Sequence, residues 1–101
     1  MNWADRTIRE LKEGRTSRCR PHGGSMRGRI ESGQLVTLSP DVDELEIGDA
    51  VLCRVRGNTY IHLVKAIQGH GSRRRYLIGN NHGRINGWTK KVYGKVVKVE
   101  D

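Results

Sequence analysis

The sequence predicts a mainly β protein: a compact mixed-sheet or partly closed, barrel-like fold with one short N-terminal helix. Three observations lead there. Short runs rich in Val, Ile and Leu recur with turn signals about 8–12 residues apart, as in small sandwiches and barrels. Gly57-Asn58 stands between two alternating runs, the mark of a β-hairpin. Helical spacing is confined to the start of the chain. At 101 residues there is enough chain for one modest core but not for two.

Residues 2–13 read as the helix. Asn2 can cap it, Asp5 lies in its first turn, and Trp3, Ile8 and Leu11 fall roughly on one face. That stripe is thin, so the helix is expected to pack loosely or against a partner. Residues 14–24, GRTSRCRPHGG, have no period and read as a linker or extended arm. The chain thus divides into an N-terminal helix and arm, 1–23, and a β domain, 24–101. In the latter, 34–39 is a strand ended by Pro40, and 41–46 is an acidic turn. The next strand, 50–56, alternates Val51, Cys53 and Val55 with Leu52, Arg54 and Arg56, and 59–67 is its hairpin partner. A basic loop at 69–74, a short strand at 76–78, a Gly/Asn-rich loop at 79–87 and a last strand at 91–100 complete the chain.

Composition narrows the classes. Aromatics are 5% and Phe is absent, so the core rests on Val, Ile and Leu. A net charge of +8 suits nucleic acid or an acidic protein as partner, and equally suits a well-solvated surface. Two cysteines, Cys19 and Cys53, are too few for a disulfide scaffold and read as reduced thiols. No apolar run approaches the ~20 residues that span a bilayer, and the charged start lacks a secretory apolar stretch. A soluble, cytoplasmic protein without membrane attachment is expected. Cys19-x-x-His22 has ligand spacing but no second pair follows, so neither a metal nor a cofactor is expected.

The chemistry-bearing residues begin at Ser25-Met26, preceded by Gly23-Gly24. A serine hydroxyl is a weak nucleophile until a base takes its proton. Two candidates lie on the 59–67 strand: His62, which titrates near neutrality, and Lys65, which would need burial among Ile61, Leu63, Val64 and Ile67. Three residues apart, they point to opposite faces of a regular strand, so only one addresses Ser25 unless a bulge intervenes.

Five segments in order, SMRGRIESGQLVTL, LEIGDAVLCRV, YIHLVKAI, YLIGNNHGRINGW and VYGKVVKV, resemble the LexA and signal-peptidase superfamily over residues 24–99. The resemblance implies a LexA/signal-peptidase-type fold and a serine peptidase, active or degenerate, cutting a peptide or protein substrate. Ser25 falls on the family's nucleophile, and His62 on the base, histidine in some members and lysine in others. Asn80-Asn81 falls on the late Asp-Asn motif. Departures are Gly28 for the proline after Ser-Met-x, Gly33-Gln34 for the early Gly-Asp, and Asn80 for the late Asp. Neutral Asn80 could orient a histidine but not stabilise an imidazolium by charge. Gly24, Met26, Asn80 and Asn81 would support the cleft and hold an oxyanion through backbone N–H groups. A helix-turn-helix, a spanning segment and an Ala-Gly self-cleavage site are all lacking, so repressor self-cleavage and signal-peptide removal are not expected, and a phage or mobile-element setting is. The family's pairing through the last strand allows a homodimer.

The alternative is a non-enzymatic basic module on the same fold. Arg73, Arg74, Arg75, Lys90 and Lys91 would contact phosphates, with Tyr76 and Trp88 as stacking groups. The Gly79–Trp88 segment either closes the sheet as a tightly wound loop or lines the Ser25 cleft.

Overall fold

The computed structural model describes residues 3–101. Helix α1 spans Asp5–Lys12 and buries Thr7, Ile8 and Leu11. Ala4 sits at its N-cap, while the expected cap Asn2 lies outside the described residues. The helix ends in a Schellman motif: Gly14 at φ +81° donates to the Leu11 carbonyl, and Arg15 donates to that of Glu10. Leu11 packs on the sheet at Gly94, where a Cβ would stand 2.7 Å from Leu11 Cδ1. The helix therefore seats on this chain's own sheet. Trp3, placed on the same face by the sequence, is 51% exposed.

Seven strands follow: β1 Ser17–Cys19, β2 Leu35–Ser39, β3 Ala50–Val55, β4 Asn58–Gln68, β5 Arg75–Gly79, β6 Ile85–Thr89 and β7 Val92–Glu100. They form one sheet in the order β1-β2-β7-β3-β4-β5-β6, with every pairing antiparallel. The expected mixed sheet is thus corrected to an antiparallel one, and the sheet does not close, since β1 and β6 are its edges.

Central β3 is buried on both faces. Ala50 and Leu52 join a cluster with Ile8, Leu11, Met26, Ile30, Ile61 and Leu63, whereas Val51, Cys53 and Val55 join Leu45, Val64, Tyr76 and Ile78. Alternation sends successive residues into one cluster or the other, so the two cores flank the sheet. The β3–β4 hairpin turns at Arg56-Gly57, one residue earlier than the sequence suggests, with Val55 opposite Asn58. Both turn residues have positive φ (51° and 82°), as a two-residue type I′ turn requires.

Two segments differ from the sequence reading. Residues 17–19, expected within an aperiodic arm, pair with β2. Residues 85–89, expected partly in a loop, pair with β5. Asn86 and Gly87 are poor strand formers, but the β5 ladder overrides propensity. Gly79 lets that hairpin close, because a Cβ there would lie 2.6 Å from the Arg84 carbonyl oxygen.

Candidate active site

Ser25 is presented by a tight turn on the surface. The Gly24 carbonyl accepts from Arg27 N at 3.2 Å, and the Met26 carbonyl accepts from Arg29 N and Ile30 N at 2.9 and 2.8 Å. Met26 and Ile30 are each 5% exposed and anchor the turn in the core, while Ser25 between Gly24 and Met26 stays exposed. Burying side chains of this size contributes about 1.5–3 kcal/mol each, enough to hold the turn against fraying. Gly28 has φ +97°, and its N–H donates to Glu31 Oε2 at 2.7 Å. Proline, locked near −65° and lacking N–H, fits neither condition.

His62 comes from the middle of β4 and is 5% exposed. Its Nε2 lies 3.0 Å from Ser25 Oγ, and its Nδ1 lies 2.7 Å from Asn86 Oδ1. An amide oxygen only accepts, so Nδ1 carries the proton and donates to Asn86. The Nε2 lone pair then faces the serine hydroxyl, which donates to it. Burial holds the imidazole pKa below its ordinary value, and the Asn86 bond pulls the other way. The ring is therefore neutral at neutral pH, the state of a general base. Tyr60 stacks on it with centroids 4.6 Å apart and planes inclined by 22°.

The partner for His62 depends on a defect in the sheet. Ile78 pairs with Gly87 and Gly79 with Ile85, so Asn86 is the extra residue of a β-bulge. A bulge re-aims one side chain without breaking the ladder, and here it turns Asn86 onto His62. Lys65 is likewise the extra residue of a bulge in β4, between Val64 opposite Ile78 and Ala66 opposite Leu77. Its Cε instead runs beside Gly79, 3.0 Å from where a Cβ would stand. Of the two candidate bases, His62 is the one hydrogen-bonded to Ser25.

Asn80 does not orient the histidine. Its Oδ1 accepts from His82 N and Arg84 N at 2.8 and 3.0 Å and winds the turn into β6. Asn81 instead supports the serine segment, donating from its backbone N to the Ser25 carbonyl at 3.2 Å and from Nδ2 to the Arg27 carbonyl at 2.9 Å. Asn86, six residues beyond the asparagine the sequence singles out, lies in the Gly79–Trp88 segment expected either to close the sheet or to line the cleft. Its orienting contact with His62 arises from the bulge.

A cleft of about 300 Å³ opens beside the serine, lined by Met26, Ile30, Tyr60 and Ile61 together with Arg20 and Glu31. Arg20 is tethered to the Gly33 carbonyl at 2.9 Å. The expected phosphate-binding residues lie elsewhere. Arg73 ends a 3-10 turn, Arg74 donates to the Asp43 carbonyl at 3.2 Å, Arg75 starts β5, and Lys90 and Lys91 join β6 to β7. Cys19 is half-buried in β1, and burial raises its thiol pKa. Among the described residues no helix is long and apolar enough to cross a membrane. No protein-family model matches this chain, and no curated protein does.

Proposed function

We propose that this protein is a serine hydrolase of the peptidase type, with Ser25 as nucleophile, His62 as general base and Asn86 as the residue that orients the base. The observation that carries it is the continuous hydrogen-bond chain Ser25 Oγ–His62 Nε2 (3.0 Å) and His62 Nδ1–Asn86 Oδ1 (2.7 Å). Three residues from β4, β6 and a surface turn converge there, which packing alone does not require. The ordered motifs that resemble the LexA/signal-peptidase superfamily point to peptide carbonyls as the electrophile.

In the reaction, Ser25 Oγ attacks the carbonyl carbon as His62 Nε2 takes the hydroxyl proton. The carbonyl oxygen becomes an oxyanion. Among the described residues the Ser25 and Met26 N–H groups are not donated within the turn, so they are free to receive it. His62 then gives the proton to the leaving amine, the C–N bond breaks, and an acyl-serine remains. Water, deprotonated by His62, releases the acid. Asn86 keeps the imidazole in the Nδ1–H tautomer throughout, as asparagine does in Cys-His-Asn proteases. It supplies no charge to the imidazolium, so this base is weaker than one backed by a carboxylate.

The test is labelling with a fluorophosphonate probe, which reacts only with an activated serine. Wild-type protein is expected to label, and Ser25→Ala and His62→Ala to label not at all. Unlabelled wild type, or equal labelling of Ser25→Ala, overturns the proposal.

A further inference from the structure

Charge is divided unevenly along this chain. Residues 1–49 carry eight Lys and Arg against nine Asp and Glu, whereas residues 50–99 carry eleven Lys and Arg and no Asp or Glu. Charge kept only for solubility has no reason to exclude one sign from half of a chain. Such asymmetry is the footprint of a polyanion partner.

The fold gathers part of this charge around one exposed indole. Trp88, on edge strand β6, is 41% exposed, and Arg75 lies over its ring at 5.3 Å from the centroid. Tyr76 pairs with Thr89, which brings Arg75 and Lys90 to the same end of the β5–β6 ladder. Thr89 Oγ1 donates to the Arg54 carbonyl at 2.6 Å, and Arg54 N donates to the Lys91 carbonyl at 2.9 Å, tying the end of β3 to this corner. Arg56 reaches back over Gly87, where a Cβ would stand 3.6 Å from its Nε. The ion pairs found among the described residues include none of Arg54, Arg56, Arg75, Lys90 and Lys91. Arg75 over the ring and Lys90 and Lys91 just beyond it, none of them in an ion pair among the described residues, thus border a solvent-facing indole.

We propose that the Trp88 corner binds single-stranded nucleic acid, a base stacking on the Trp88–Arg75 pair while Lys90 and Lys91 take adjacent phosphates. A single strand fits better than a duplex because stacking on Trp88 needs a base out of its stack. Phosphate contacts alone would not explain an indole left exposed beside these cations. The surface is separate from the chemistry of Ser25 and stands or falls independently of it.

Fluorescence anisotropy with a labelled oligothymidylate of about 12 nucleotides, within the span of one small β domain, provides the test. Wild type and Ser25→Ala are expected to bind equally. Trp88→Ala should weaken binding roughly 5- to 150-fold with an unchanged salt slope, the effect of one lost stacking contact. Lys90→Ala combined with Lys91→Ala should lower the slope of log affinity against log salt by about 1.4, two single-strand phosphate contacts. These lysines are exposed, so the double variant reports even if Trp88→Ala fails to fold. No binding by wild type, a duplex bound as tightly as the single strand, or polyglutamate competing as well as the oligonucleotide would each overturn the proposal.

Discussion

Removing the Asn86 amide isolates the step on which the hydrolase reading depends. In Asn86→Ala the His62 Nδ1–H loses its acceptor at 2.7 Å while the ring stays 5% exposed. A buried donor left unsatisfied costs about 1–3 kcal/mol. That cost falls on the tautomer with the proton on Nδ1, the only neutral form whose Nε2 can accept from Ser25. At about 1.4 kcal/mol per tenfold, the reactive tautomer falls roughly 5- to 150-fold. Fluorophosphonate labelling rates measured across pH should fall by that factor, with no loss of fold by circular dichroism. Asn86→Asp is the complementary change. It retains an acceptor and adds a negative charge, which favours the imidazolium and moves the ascending limb of the pH–rate profile upward by about 1–3 pH units. An Asn86→Ala variant that labels at the wild-type rate with the same pH midpoint refutes the argument, because His62 would then need no orienting partner.

The competing base gives a sharper contrast: Lys65→Ala should keep labelling within about twofold while His62→Ala abolishes it, since a lost hydrogen-bonded base is worth about 10²–10⁴ in rate. In wild type the folded His62 lies below its ordinary 6.5, so labelling should reach half its plateau below pH 6.5. The unfolded state binds the proton more readily, so stability is complete above about pH 6.5 and declines as pH falls towards the folded value; urea midpoints in His62→Gln should lose that part of the acid dependence. Gly28→Pro, which would introduce the Ser-Met-x-Pro of the superfamily the sequence resembles, should destabilise by well over about 1 kcal/mol through an impossible φ and a lost N–H bond to Glu31. That corresponds to a melting temperature lower by at least roughly 4–8 °C for a domain of this size. Cys53, fully buried and with its thiol pushed up to about 12 by burial, should resist iodoacetamide at pH 8 in the folded protein and react only on unfolding.

Strand patterning was legible in the sequence wherever one residue in two had to be apolar or where a run was buried on both faces. The β3–β4 hairpin and the last strand are such cases, and their bounds shift by only a residue or two. Gly57 announced its turn because few other residues tolerate that backbone. Ser25 and His62 could be named from residue type and order, although 37 positions separate them and nothing in the composition brings them together. The stretches 17–19 and 85–89 carry no such signal. Both are held as strands by a neighbour's ladder rather than by their own propensities, and a ladder is a non-local fact.

The decisive residue belongs to that second category. A strand's alternation dictates on which face each side chain falls, so a reading along the chain can place only regular positions. Asn86 is an irregular one: a single unpaired residue in β6 turns its amide to His62, and the asparagine six positions earlier, nearer the expected motif, is occupied with two backbone N–H groups of its own turn. Residue types, strand periods and the surplus of positive charge were determined by the sequence alone. Which asparagine faces the histidine, which of two candidate bases meets the serine, and which cations border Trp88 were decided by the tertiary structure, because bulges and cross-strand register exist only once the strands have paired.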